Sequence, residues 1–525
     1  MDVSATERLG IPPVWVLLLC LLCATVAIVR LSSWPQSGTR TPSHRSEPPV
    51  LPHWIPYLQH LPYFLWNPGA LYKAGKRTFP NTPFTLVLNG TKFHVFDSPD
   101  TVKRVFSESR KLSFAPVIAS MMENGMSLPI PDRPKFLSKD ASPGEPKFVT
   151  ENHNIWVQNL SGKALDDIMT IYMKNFRAVL AEQVAMHSTD VIRVNLFQFM
   201  RRLIFETSAL TFFGPRLRDI WPSMWEDWRR YDDATYIGIR SNLAYYLQPG
   251  AHAAKEKMLK SFEKWIETAG EEDWSDTDGV WCERWGFKMN WQRDKLASKR
   301  GFTSRGRACL QASFLFVIVT NAAPMASWFM WCAAGTPERL ALYRAAATQA
   351  KGTKSGDIDD GFPNLDMAAV RQSPYIHGLW LEALRLGTAS AAARVVMQED
   401  MELEGFLVQR GSVVLIPVQL MHLKEEVFQD ANHVRPERWM RSDQDQLKRM
   451  NDHMRPFGGG TSICSGRHVA ESEVTGVVTS LLLMFDVTFE MGLKEWEFNP
   501  RSLGVMAPKN DPVVNLQRKR DACGV

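Results

Sequence analysis

The 525-residue chain has no cysteine framework: Cys20, Cys23, Cys282, Cys309, Cys332, Cys464 and Cys523 are odd in number and widely scattered. No disulfide scaffold follows from that, and Cys20 and Cys23 form a C-x-x-C with no second pair to complete a zinc site. The functional part of the chain therefore suits a reducing compartment. Charge of one sign is also scarce: the net charge is +5, with no basic stripe interleaved with aromatics, which excludes the footprint of a nucleic-acid binder. Mild basicity fits a protein resting on an anionic membrane surface. Repeats and low-complexity tracts are missing. With 45% hydrophobic and 22% charged residues, the composition is that of a folded protein with a large core. The length would allow about three domains, but only one linker interrupts the chain.

That linker follows an apolar run. Residues 11–29, IPPVWVLLLCLLCATVAIV, carry no charge, and about 20 such residues span a bilayer core of roughly 30 Å. A cleaved signal peptide needs a basic start, whereas Asp2, Glu7 and only Arg8 precede the run and Arg30, Arg40 and Arg45 follow it. This asymmetry places the C-terminal side in the cytosol. The expected organisation is a luminal tail (1–10), a transmembrane signal-anchor (11–30), a proline-rich hinge (31–66) and a catalytic domain (67–525). The prolines of the hinge make it a semi-rigid spacer. Asn89-Gly90-Thr91 and Asn159-Leu160-Ser161 match the glycosylation acceptor pattern. Asn89-Gly90 also reads as a hairpin turn between TLVL and TKFHVF.

Beyond residue 100 the pattern is mostly helical. Helices are expected over 153–187, 191–213, 223–269 with a break at Gln248-Pro249-Gly250, and 306–334. Thr336-Pro337 supplies an N-cap and first-turn proline for the next helix. Residues 270–300, rich in Trp and charge with weak periodicity, read as a loop insert, and short strands are expected at 394–398, 405–408 and 412–416.

The chemistry is concentrated in 455-RPFGGGTSICSGRHVA-470. Glycines 458, 459, 460 and 466 let the backbone approach something flat and bulky. A helix over 467–484 begins just after Cys464, and backbone N–H groups at a helix start stabilise a thiolate. Thiolate is the axial ligand of haem iron where oxygen–oxygen cleavage is the goal.

The pattern F-G-G-G-x-x-x-C-x-G-R-x-x-A over 457–470 resembles the haem-binding loop of the cytochrome P-450 superfamily. The resemblance implies a mainly α fold with small β-sheets behind a single N-terminal transmembrane helix. It makes Cys464 the axial ligand of haem b (iron protoporphyrin IX), shielded by Phe457. Glu382 and Arg385 in LWLEALRL match the family's E-x-x-R helix motif, and their spacing puts both on one helix face. Arg438 in RPERW completes a structural triad with them. Arg394 matches the position that reaches a haem propionate. Where the family usually carries a basic propionate partner two residues before the cysteine, this chain has Ser462, which leaves Arg455 or Arg467 as substitutes.

A second departure bears on catalysis. The family's A-G-x-(D/E)-T run corresponds to 320-TNAAP-324, with Ala323 for the acid and Pro324 for the alcohol. That combination is similar to the branch holding cholesterol 7α- and sterol 12α-hydroxylases, prostacyclin synthase and related fungal secondary-metabolite enzymes. A proline inside a helix frees the carbonyl four residues back, at Thr320, and kinks the helix. Asn321, with both donor and acceptor, and ordered water could then carry protons there. Thr320, Asn321 and Pro324 are thus the candidate catalytic positions. The same stretch would otherwise be a kinked core helix with a satisfied Asn.

The leading expectation is a monooxygenase inserting oxygen into, or desaturating, a bulky lipophilic substrate such as a terpenoid or sterol-like secondary metabolite. By resemblance its partners are a membrane-bound NADPH–cytochrome reductase and a cytochrome b-type donor, on the cytosolic face of the endoplasmic reticulum membrane. A haem-thiolate isomerase or dehydratase, needing no reductase, is the alternative, and a non-enzymatic haem sensor the third. Pocket walls are expected from 121–127, 236–246, 316–324, 387–391 and 503–506, with no cationic cluster awaiting an anionic head group.

Overall fold

The computed structural model describes residue 24 and residues 46–519, except 139–145, 187–189, 242–244, 246, 271–273, 275–278, 350–361, 363–364, 442 and 491–497. Apart from residue 24, the expected anchor therefore lies outside the described residues. The chain is mostly helical with small sheets and falls into two compact units, one of residues 1–114 with 391–421 and one of 115–390 with 422–525.

The smaller unit is built on a five-stranded sheet in the order Phe84–Leu88, Thr91–Val95, Val413–Pro417, Ala391–Val396, Leu112–Ser113. The first pair is a hairpin whose turn residues Asn89 and Gly90 both have positive φ, 47° and 83°, the conformation that favours Asn-Gly. Val413–Pro417 is buried along its whole length, as expected for a strand paired on both sides. The sequence places strands at 394–398 and 412–416; the observed strands lie one to three residues earlier or later. The second half of the expected hinge is not a free spacer. Leu51 donates to Thr85 O (2.9 Å) and Thr85 to Pro49 O (2.8 Å), so this stretch lies along the sheet edge, followed by a short helix Leu61–Trp66 with proline in its first turn.

In the larger unit the helix Arg467–Met484 matches the expected span. The apolar segment expected as one helix is two, Ser304–Val319 and Ala322–Ala334, separated at Thr320-Asn321, because Pro324 has no N–H to give the Thr320 carbonyl. Taken together, Ser304–Ala334 is the one helical stretch among the described residues long and apolar enough to cross a membrane, and it is mostly buried. The 270–300 stretch is not all loop: it contains a helix, Lys288–Lys299. Its periodicity is weak because its inward face is polar, with Arg293 donating to Leu310 O (2.6 Å) and Gln311 Oε1 (3.1 Å). Residues 191–213 begin as a strand, Val191–Asn195, paired with Val513–Arg518. Asn159 is buried and donates to Ile155 O (2.8 Å) and Gln292 Oε1 (2.7 Å), so it is not presented for glycosylation.

One buried acid, Glu473, lies on the helix that follows the cysteine. Glu473 accepts from Tyr172 Oη (2.7 Å) and Ser208 Oγ (3.1 Å), and burial pushes its pKa up to about 7. The folded state holds this proton more tightly than the unfolded chain. Ionisation of the unfolded chain therefore lowers stability as pH rises from the ordinary Glu value to about 7, after which the penalty is constant. Glu473→Gln should remove that component: relative to wild type, the variant gains stability between pH 5 and pH 8 in denaturant titrations. Parallel pH profiles for the two proteins would contradict this.

Candidate haem-thiolate site

Cys464 lies between a short turn, Gly460–Ser462, and the helix Arg467–Met484. Its N–H donates to Phe457 O (3.0 Å), closing the loop on itself, and Phe457 packs on the main core. Gly458 and Gly460 have φ of 73° and 64°, a region costly to other residues. Gly466 adjoins the sulfur: a Cβ there would stand 3.8 Å from Cys464 Sγ, in ordinary van der Waals contact. Cys464 is a free, exposed cysteine, yet its thiol sits in a hollow with protein on most sides. Burial pushes its pKa up, opposed by the Gly466 N–H and the Arg467 charge. An exposed soft ligand held by its own backbone, with neighbours that favour its anion, fits a haem iron.

The arginines near the loop are occupied by carbonyls. Arg455 donates to Asn451 O (2.9 Å) and Met454 O (2.7 Å), and Arg467 to Cys464 O (3.1 Å). Ser462 Oγ donates to Gly459 O (3.4 Å). Arg394 belongs to the smaller unit, where its guanidinium lies 4.9 Å from the ring centres of both Phe106 and Phe114 and donates to Ala393 O (2.8 Å). Burial lowers its pKa to about 10, so it remains a cation at neutral pH.

Glu382, Arg385 and Arg438 stand together. Arg385 meets both carboxylate oxygens of Glu382 (2.8 and 2.9 Å), and Arg438 Nε lies 3.2 Å from Glu382 Oε1. The carboxylate further accepts from Trp439 Nε1 (3.0 Å) and the Arg435 N–H (2.8 Å). A residue the sequence did not single out connects this cluster to the cysteine loop. His422 O accepts from Arg385 (3.2 Å), while His422 Nε2 accepts from the Arg455 N–H (2.9 Å). Burial pushes the His422 pKa down to about 3, so the imidazole is neutral and able to accept.

At the helix break, Asn321 Oδ1 accepts from the Val505 N–H (3.0 Å). Trp328 Nε1 donates to Met506 O (2.9 Å), and the Ala389 and Met506 N–H groups bond Gly504 O and Gly387 O (2.8 Å each). Parts of the expected wall segments 316–324, 387–391 and 503–506, namely Asn321, Gly387, Ala389 and 504–506, are thereby brought together. Thr320 has a partner no local motif shows: its hydroxyl donates to Asp232 Oδ1 (3.1 Å). Asp232 Oδ2 is 2.6 Å from Arg201 Nη2, and Arg201 Nη1 is 2.8 Å from the half-exposed Asp233. Burial outweighs the Arg201 charge and holds the Asp232 carboxyl above its usual range. A chain of ion pairs and one hydrogen bond thus runs from Asp233 through Arg201 and Asp232 to Thr320, with Asp232 the group in it able to exchange a proton with the Thr320 hydroxyl.

Comparison with known proteins agrees with this site. A family model described as "Cytochrome P450" matches residues 348–515, a span that contains the Glu382 cluster and the Cys464 loop. The chain is 23% identical to "Cytochrome P450 monooxygenase efuG" of Hormonema carpetanum over 92% of each chain. It is 24% identical to "Cytochrome P450 7B1" of Mus musculus over 86% of each, and 21% identical to "Cytochrome P450 7A1" of Oryctolagus cuniculus over 89% of this chain and 92% of that one. At such identities the likeness is to the family and not to any one relative's substrate. With its glycine-framed thiol, its Glu382–Arg385 pair, a matching family model over 348–515 and relatives aligned along nearly their whole length, the chain is similar to the cytochrome P450 monooxygenases.

Proposed function

We propose that this chain is a membrane-anchored monooxygenase that oxygenates or desaturates a bulky lipophilic secondary metabolite, with electrons from NADPH delivered by a membrane-bound reductase. The observation that carries this is the exposed Cys464 thiol, framed by Gly466 and the start of the Arg467–Met484 helix. Haem bound there supplies the redox chemistry that activates dioxygen. The chain's residues supply the rest. Cys464 and Phe457 hold and shield the ligand atom, the Glu382 cluster braces the loop through His422, and Arg394, Arg455 or Arg467 serve the propionates.

Membrane attachment is supported by the uncharged run at 11–29. Behind it, Trp54, Tyr57, Leu58, Tyr63 and Trp66 are all exposed, a patch suited to a membrane interface. With the reading of residues 11–30 as an anchor, it favours the cytosolic face of the endoplasmic reticulum.

Asp232 answers the departure at Ala323. The acid missing from the helix is offered by another helix, Met224–Gly238, and reaches Thr320 directly. This weighs for oxygen activation over the isomerase or dehydratase reading, which needs no proton delivery. Thr320→Val and Asp232→Asn should each slow NADPH-dependent product formation on the order of a hundredfold, with the electrons recovered as hydrogen peroxide. Thr320→Val leaves the Arg201–Asp232 pair intact, so an effect confined to Asp232→Asn would assign Asp232 to stability instead.

The function itself is tested by incubating membranes carrying the holoenzyme and reductase with metabolite extract, with and without NADPH. Products heavier by oxygen or lighter by a hydrogen pair, formed only with NADPH, are expected. NADPH-independent conversion to a product of equal mass, or one differing by water, would establish the alternative.

A further inference from the structure

The sequence shows no cationic cluster for the pocket region, but it does not mark a single buried cation: Lys255 on the helix Pro249–Ala269 is 2% exposed. Its ammonium donates to Ser127 Oγ (2.7 Å) and lies 3.8 Å from the centre of the Tyr245 ring. No carboxylate stands within ion-pair distance among the described residues. The adjacent Glu256 is taken by Arg305 (2.5 Å), and Glu123, on the far wall, by Arg133 (3.4 Å). A buried, uncompensated ammonium is costly. Burial lowers the Lys255 pKa to about 8, so at neutral pH most of the charge persists.

Lys255 lines a hollow of about 260 Å³ with Ser127, Leu128, Ile130, Arg133 and Tyr245. We propose that this hollow receives the carboxylate of the substrate, Lys255 being its counter-ion and the Tyr245 ring its floor. This rests on the monooxygenase reading and narrows its substrate to a lipophilic carboxylic acid. Glu123 and His252 line the same hollow, and Arg133 is paired with Glu123, so Lys255 is the cation left to balance one negative charge; a doubly charged phosphate monoester would leave an excess charge buried.

The geometry also says which end of the substrate is held. Ser127 follows Met126, whose carbonyl accepts from Cys309 Sγ (3.2 Å). Cys309 lies on the helix Ser304–Val319, eleven residues before Thr320, about 16 Å at the rise of an α-helix. Buried aromatic side chains fill that direction, with Tyr245 stacked on Tyr231 (6.1 Å) and Tyr231 against Phe316 (6.3 Å), and on this proposal they pack along the apolar body of the substrate. The acid is thus anchored at one end and oxidised at a carbon remote from the carboxylate.

Equilibrium dialysis of the holoenzyme tests this with three acids, palmitic, farnesoic and abietic, each beside its methyl ester. At least one acid should bind about tenfold more tightly than its ester. The preference should vanish in Lys255→Met, survive in Lys255→Arg, and be untouched in Lys260→Met, an exposed lysine of the same helix. Retained haem and an unchanged ester affinity certify the fold of Lys255→Met. If none of the acids is preferred, or the preference persists in Lys255→Met, the proposal fails. Tight binding of an acid without NADPH-dependent oxidation would instead overturn the monooxygenase reading and leave the site standing.

Discussion

Cys464→Ser is expected to abolish product formation and strip the purified protein of its thiolate-bound haem, read as lost haem content and lost thiolate absorption. A hydroxyl is a harder ligand with a far higher pKa, and at neutral pH it gives iron no anion. The polypeptide should stay folded, because the Cys464 side chain is exposed and the loop is closed by its backbone bond to Phe457. The change in stability of the haem-free protein should be within about 0.5 kcal/mol, as for surface substitutions. Cys309→Ser is the counter-case. That thiol is buried, with its pKa pushed up to about 12, so the variant should keep its haem. Thiolate absorption surviving in Cys464→Ser would falsify the assignment.

The second large effect is structural. Glu382→Gln leaves two buried guanidinium groups facing a neutral amide, since both Arg385 and Arg438 close on Glu382. Breaking such a cluster costs about 3–5 kcal/mol, enough to reduce the yield of folded, haem-loaded protein sharply. Replacing both partners, Glu382→Leu with Arg385→Met, should be less damaging than Glu382→Gln alone, because no charge is then left uncompensated. Arg385 also holds the His422 and His433 carbonyls, so some loss should remain in the double variant. A Glu382→Gln protein as stable to denaturant as wild type would show that the cluster braces nothing.

How much of this was legible in the sequence follows from the range of the interactions involved. The helix Arg467–Met484 and the Asn89-Gly90 hairpin were readable because their signals lie within a few residues of the structure they produce. The Thr320-Asn321 break was readable as a kink, since Pro324 acts on the carbonyl four residues back. The strand Val191–Asn195 was not: its five residues continue into a helical pattern, and what makes them a strand is Val513–Arg518, some three hundred positions later. Lys288–Lys299 was missed because buried Asn290, Arg293 and Asp294 erase the apolar period by which helices are recognised.

For the site the division is similar. Cysteine, glycine and helix start follow one another in a single loop, so the thiolate ligand we propose was legible in the sequence alone, and with it the likeness to the family. Glu382 and Arg385 are neighbours on one helix turn and were legible once that loop was recognised. Asp232, His422 and Lys255 are residue types found throughout any chain, and no spacing marks them. Only the tertiary structure set Asp232 against Thr320, His422 between Arg385 and Arg455, and Lys255 over Tyr245 without a carboxylate. Their roles come from burial and from partners distant in sequence, because a charge acquires a function when folding removes its water and decides what replaces it.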